Sequence, residues 1–448
     1  MNFNEFKAHV NAAAKEAGIA EHELYYQTSE STEVSAFKHE INKFSSSFDG
    51  GVCFRCLVDG RMGYASTEEL SEGSAREIVF RARDNALSLE TDEREFLGEG
   101  GGEYASTELI ERDSPTTEQL IATALAGQDA LYGADPAVTD GASTQVVSFR
   151  TTVAIANSRG LDLSYENAAS LLVSEAVVSD GDEVNTGFEY KCGAFSDLSI
   201  GELSTAAVAD AKAKLKADVA PTGAYPVIFA PRAFASLLRT FASIFSSEAA
   251  RKGLSKFADS EGTNVASEML TIVDDPFCRA GAMPIGFDAE GTPTYRKNVI
   301  ENGKLNTLLY NLKSAAALGK KTTGNAFKGN YDSPIGIGPF TMYVAPGETT
   351  VDELLACAGN GVYIDSLEGL HAGANFVSGD FSLQSGGFMI ENGKKTTPVK
   401  AFTCAGNFYD LLKNVRAAAC DLKIDAMGGT TSFGSPSVLV DGLSIAGK

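Results

Sequence analysis

Four histidines and seven cysteines limit what these 448 residues can do with a metal or a nucleophile. The histidines are His9, His22, His39 and His371. A zinc hydrolase of the HExxH kind needs two imidazoles one helical turn apart to hold the ion, and a glutamate between them to deprotonate its water. Here His39 is followed by Glu40, but no second histidine follows within reach and the surrounding residues read as strand. The spacing therefore predicts no zinc centre of that kind. Cys53 and Cys56 form a CxxC. They lie in an apolar, strand-like run, where residues three apart point to opposite faces, and there is no second CxxC. Two buried thiols are expected. Neither a GxSxG elbow nor a phosphate-binding glycine loop is present, and nothing in the spacing selects a histidine for a Ser/His/Asp triad.

One segment does concentrate polar chemistry. In EGLHAGANFVSGDFSL, His371 is the sole histidine of the second half, and Gly369, Gly373, Gly379, Gly386 and Gly387 surround Asn375, Ser378 and Asp380. Small residues let a backbone or ligand approach closely, and Asn and Asp bond exposed main-chain groups. The block reads equally as a tight turn region of a barrel or as a ligand contact.

The elements that must position these residues follow from pattern. MNFNEFKAHVNAAAKEAG reads as an amphipathic helix, with no apolar stretch of signal-peptide length. Successive strands follow, with turns expected at Glu30-Ser31, Asp49-Gly50-Gly51 and Asp59-Gly60. Residues 68–89 turn helical, with Ile78, Val79, Ala82, Ala86 and Leu87 at helical spacing. The Gly-rich stretch 98–107 is a connection. A helix is expected near 116–132, strands over 143–192, and a helix at about 201–217. The segment 219–231 carries Pro221, Gly223, Pro226 and Pro231, and it sets the main boundary. Beyond it, strands alternate with turns at Glu290-Gly291, Asn302-Gly303 and Asn392-Gly393.

The fold class is therefore α+β. An N-terminal α+β domain of antiparallel strands and flanking helices is expected over 1–218, with sub-regions 1–97 and 108–218. A β-rich, barrel- or sandwich-like domain is expected over 222–448. Such a length predicts two or three domains. Hydrophobic content of 44% with 21% charged residues is that of a folded chain. A net charge of −22 argues against gripping a phosphate backbone. No window reaches the ~18–20 apolar residues of a membrane span. Scattered cysteines in apolar surroundings suit reduced thiols, so a cytoplasmic location is expected.

Several ordered blocks together carry a resemblance over nearly the whole chain. They include GVCFRCLVDGRMGYASTEEL, TIVDDPF, GFDAEGTPTYRKNVIENGKL, LGKKTTGNAF, the 369–387 block, AGNFYDLLKNV and GSPSVLVDGLSIAGK. The sequence resembles the PmbA/TldD family, whose members are described as modulators of DNA gyrase, on its PmbA (TldE) branch. The resemblance implies a TldD/TldE pair in the cytosol, in which the TldD-type subunit carries HExxxH on a helix and a cysteine ligand near its C-terminus. The matching helix here is PRAFASLLRTFASIFSSEAARKG (231–253). Arg239 falls at the first histidine, Thr240 at the glutamate and Ile244 at the second histidine. Arg repels a cation, Thr is no carboxylate and Ile has no lone pair. The cysteine position falls near 427–431, which holds no cysteine.

The resemblance thus implies a non-catalytic subunit without metal or cofactor of its own, zinc being expected only in a TldD-type partner. Heterodimer and homodimer both remain open as assemblies. Peptide or interface candidates are His371, Asn375, Ser378, Asp380, Phe381 and Phe241. A peptide substrate is expected, with neither direct nucleic-acid binding nor a membrane. The alternative is a regulatory or binding protein that modulates a DNA-associated enzyme such as gyrase.

Overall fold

In the computed structural model, residues 1–105, 114–280, 284–426 and 431–448 are described. Helix α1 (Phe3–Glu16) starts at a reciprocal cap in which the Asn2 side chain accepts from the Glu5 amide and the Glu5 carboxylate accepts from the Asn2 amide. It buries Phe6, Val10, Ala13 and Ala14, the i, i+4, i+7, i+8 stripe of an amphipathic helix. That stripe meets Ala75, Ile78, Val79 and Ala82 of α2 (Glu72–Ser88).

Strands β1 (Glu21–Phe37), β2 (Glu40–Val58), β3 (Arg61–Thr67), β4 (Ser143–Asn157), β5 (Asp162–Asp180) and β6 (Glu183–Gly193) form one antiparallel sheet, in the order β3-β2-β1-β4-β5-β6. Successive side chains of a strand alternate between faces. Leu24, Val34 and Ala36 of β1 pack under helices, as do Val146 of β4 and Leu172 of β5; the helices are α1, α2, α3 (Thr117–Ala134) and α4 (Ile200–Ala213). Tyr25, Cys53, Val153 and Ile155 point the other way and pack against Phe287, Ala289, Ala326 and Tyr331 from the second half of the chain. Cys53 and Cys56 accordingly fall in different cores.

Two expected turns are absent. Glu30-Ser31 lies mid-strand in β1, and Asp49-Gly50-Gly51 lies within β2; the chain reverses at Lys38-His39, both with positive φ. Polar residues at 29–33 and 45–49 belong to an open stretch of the sheet rather than to loops. The glycines are there for close approach, since a Cβ at Gly51 would meet the Tyr331 ring at 2.6 Å. Asp59-Gly60, Asn302-Gly303 and Asn392-Gly393 do turn the chain, each pair with positive φ at both positions.

In the second half, β7 (Gly223–Phe229) lies between the Gly361–Glu368 and Val438–Ala446 strands. Asp380–Glu391 and Lys394–Asn407 extend the sheet, and Lys394–Asn407 also pairs with Val438–Ala446 through Thr403, Cys404 and Ala405. Five strands thereby close into a barrel. Helix α5 (Pro231–Phe241) enters with proline at its first turn and buries Phe234, Leu237, Leu238 and Phe241. A second sheet runs 304–305, 297–301, 272–274, 341–344, 432–435, 423–425.

The single helix expected over 231–253 is broken. It ends at Phe241, continues as a 3-10 turn over Ala242–Phe245, and restarts at the Ser246 cap as Ser247–Arg251. The neighbouring chain causes the break: Leu309 N–H donates to the Phe245 carbonyl at 2.8 Å and Ser247 N–H to the Leu309 carbonyl at 3.0 Å.

Candidate functional site

Three residues on or next to α5 stand at the positions that the resemblance assigns to metal ligands and base. Arg239 reaches across to Asp425, with Nη2 2.6 Å from Oδ2, and its guanidinium lies 5.5 Å from the Phe433 ring centroid. Burial pushes the Asp425 carboxyl up, while a cation in direct contact draws it down; at 2.6 Å the pair is held as an ion pair. The Thr240 hydroxyl donates to the Ser236 carbonyl one turn back at 2.8 Å. Ile244 is fully buried in the barrel core. Among the described residues no group of three or more His, Cys, Asp or Glu side chains is placed to hold a metal ion. The sequence position assigned to a cysteine ligand, 427–431, lies outside the described residues except for Thr431.

The glycine-rich block is a self-satisfied turn. Asn375 Oδ1 accepts from the amides of Val377 at 3.0 Å and Ser378 at 3.1 Å. The Ser378 hydroxyl donates to Asp380 Oδ2 at 2.8 Å, and Asn407 Nδ2 donates to Asp380 Oδ1 at 2.8 Å. These two donors hold the Asp380 carboxyl below its usual range. Gly379 is required at φ +88, where a Cβ would meet the Tyr409 ring at 2.5 Å. His371 is exposed on the short Leu370–Gly373 helix, outside this network. Phe381 is buried, 6.3 Å from Phe241, and Phe241 stacks on Phe408 at 4.5 Å and 11°. The structure thus joins Asn375, Ser378 and Asp380 in one network and places Phe381 in the core against Phe241 of α5.

A second cluster, which no local pattern announces, sits where the N-terminal sheet meets the second half. Arg55 of β2 is 4% exposed; its Nε donates to Glu23 of β1 at 2.7 Å, and Nη2 has no acceptor among the described residues. Asn157 Nδ2 donates to the other Glu23 oxygen at 3.2 Å. Facing them is Glu290, 3% exposed, whose Oε2 accepts from the Leu312 amide at 2.8 Å. Burial, then the neighbouring Asp288, pushes the Glu290 carboxyl far above the ordinary range despite Arg55. Asp288 itself accepts from the amides of Glu290, Thr292 and Ala326, each at 2.9 Å. Arg55 and Glu290 share the wall of a cavity of about 330 Å³ with Tyr64, Glu95, Lys313 and Asn311.

The strap over this cavity is the connection after α2. Glu93 is bound by Arg251 and Lys313, both at 2.7 Å, which pull its carboxyl down to about 2. Glu95 accepts from Tyr64 at 2.8 Å and Lys313 at 3.2 Å, and Leu97 is buried.

An antiparallel sheet under four helices, joined to a closed five-stranded barrel and a second sheet, defines an α+β protein. Residues 22–86 match domain 1, residues 110–215 the central domain, and residues 222–447 the C-terminal domain of PmbA/TldA metallopeptidases. The chain belongs to the PmbA/TldD metallopeptidase family. It is 26% identical to the metalloprotease PmbA homolog of Haemophilus influenzae over 431 residues, covering 93% of this chain and 90% of that one. A Thermotoga maritima structure described as a proposed modulator of a DNA gyrase superposes with a TM-score of 0.90 at 29% identity, covering 99% and 100% of the two chains. TldE from Thermococcus kodakarensis shares the fold, with a TM-score of 0.88 at 23% identity over 98% and 99%.

Proposed function

We propose that this chain is a non-catalytic subunit of a TldD/TldE-type metallopeptidase that processes unfolded peptides in the cytosol. The observation that carries the reading is the Arg239–Asp425 ion pair on α5. A fixed guanidinium occupies the position from which the family's helix would hold a cation, so metal-activated water has no ligand set at that helix. Thr240 brings no carboxylate base and Ile244 no lone pair there.

The chain then contributes surface. A TldD-type paralogue is the partner this reading names, and related folds pair most readily about a pseudo-twofold axis. The Asn375–Ser378–Asp380 turn and the exposed Phe376 beside it are the surface we assign to that contact or to the peptide. Phe241 and Phe381 support this turn from the core.

The test is to mix the purified chain with a TldD-type protein and follow cleavage of an unfolded polypeptide, with zinc measured on each component. We expect activity and zinc to follow the partner, activity to require both chains, and Asp380→Ala to weaken the complex. A partner fully active alone, with no complex formed, overturns the proposal. So does stoichiometric zinc on this chain that is lost on changing residues 239–244.

A further inference from the structure

We infer that the cavity at the junction of the two halves binds a small zwitterion with an apolar side chain: a free amino acid such as leucine, or a dipeptide ending in one. The inference stands apart from the proposed pairing, because its residues come from β1–β3, the strap and the segment 290–335, not from α5 or the glycine-rich turn.

Arg55 provides the first argument. A buried guanidinium keeps its charge and needs acceptors for its five N–H groups. Glu23 takes only Nε, Nη2 is closed off without an acceptor among the described residues, and the Arg55 side chain lines the cavity. Buried donors left unmade are costly and native chains rarely keep them. A carboxylate is the acceptor that suits a guanidinium best.

Glu290 provides the second. Burial and Asp288 favour its protonated form, which donates a hydrogen bond instead of repelling an anion. The other charged groups lining the cavity are Lys313, already engaged by Glu93 and Glu95, and the acids Glu95 and the exposed Asp332, with Glu23 bonded to Arg55 and Asp288 bonded to the Glu290 amide outside the lining. Glu95 and Asp332 disfavour a multiply charged phosphate and accept an ammonium group on the ligand's other end. Phe96, Pro334 and Ile335 line the same space and supply an apolar wall. About 330 Å³ is near the lower end of small-molecule sites.

The experiment is equilibrium dialysis of the full chain against labelled leucine and labelled glycyl-leucine, with leucinamide and 4-methylpentanoate as competitors. The inference expects saturable one-to-one binding of leucine or glycyl-leucine; the tighter of the two identifies the source. Leucinamide and 4-methylpentanoate should each compete at least tenfold less well than leucine. Ile335→Trp fills the cavity without touching the ion pairs and should abolish binding with the melting temperature unchanged. Arg55→Met is paired with Glu23→Gln to avoid stranding a buried charge, and that double variant should lose binding at least tenfold. No saturable binding of either compound to the wild-type chain overturns the inference. Binding that survives Ile335→Trp, or equal competition by leucinamide, overturns it as well.

Discussion

Arg239 and Asp425 are worth more to each other than either is worth alone. Arg239 is partly exposed, so its own charge is screened, but its loss leaves a nearly buried carboxylate without its cation. We expect Arg239→Ala to cost roughly 1–3 kcal/mol in urea denaturation, and Arg239→Ala with Asp425→Asn to recover most of that. Phe241 is held by packing alone: it is fully buried against Phe408 and Phe381. Phe241→Ala should cost about 3–5 kcal/mol, so a loss of partner binding in that variant would report unfolding rather than a lost contact. Glu290 gives a pH signature. Its carboxyl is raised in the folded chain, so its contribution to stability is fully present below the usual carboxylate range and is lost as the pH rises through its folded value. The wild-type melting temperature should therefore fall from mildly acidic to alkaline pH, and Glu290→Gln should flatten that slope; an unchanged slope would contradict the assignment.

At the scale of elements, the strap between α2 and α3 is held at Glu93 by two cations that lower its carboxyl to about 2 from an ordinary 4.5. A depressed carboxyl contributes stability above its unfolded value and loses it as the pH falls, here between about 4.5 and about 2. Acid should release the strap, and Glu93→Gln should release it at neutral pH, read as faster proteolytic cutting within residues 89–97. The regular helices were legible because their signals are local. Thr116 with Gln119 forms a reciprocal cap at the expected start of α3, and the α2 stripe lies where its spacing put it except at Leu87, which faces solvent in the last turn. The turn at Asp59-Gly60 was legible for the same reason. The break after Phe241 was not, since the apolar spacing runs on through Phe245 and only Leu309, far along the chain, interrupts it. Nor was the Glu23–Arg55–Glu290 cluster: its members come from three distant segments, and each alone resembles an ordinary surface charge. The long β1–β2 arm misled in the opposite sense, because polar residues on an open sheet carry the same composition as a loop.

For the whole molecule, we propose that 1–218 and 222–448 are separate folding units whose seam is too apolar for either to be indifferent to the other. Phe287, Ala289, Ala326 and Tyr331 are covered by Tyr25, Cys53, Val153 and Ile155. The boundary is also no loose hinge: Asp218 exchanges backbone hydrogen bonds with Pro398 and Lys400, and Ala220 and Thr222 bond Lys448. We expect limited proteolysis to spare 218–222, and a 222–448 fragment expressed alone to fold with an exposed apolar face that binds a hydrophobic dye. A fragment indistinguishable from the same region in the intact chain would show the seam to be passive. The barrel has a consequence for synthesis. Strand β7 waits for a neighbour whose first residue, Val438, comes 209 positions after Phe229, and that neighbour also meets Thr403 to Ala405 to seal the ring. At translation rates of ~5–20 residues per second this is a delay of roughly 10–40 s, in which β7 has bare amides along one side. A nascent chain in that interval is an open template for other strands, and it is the stage at which a chaperone would have most to protect.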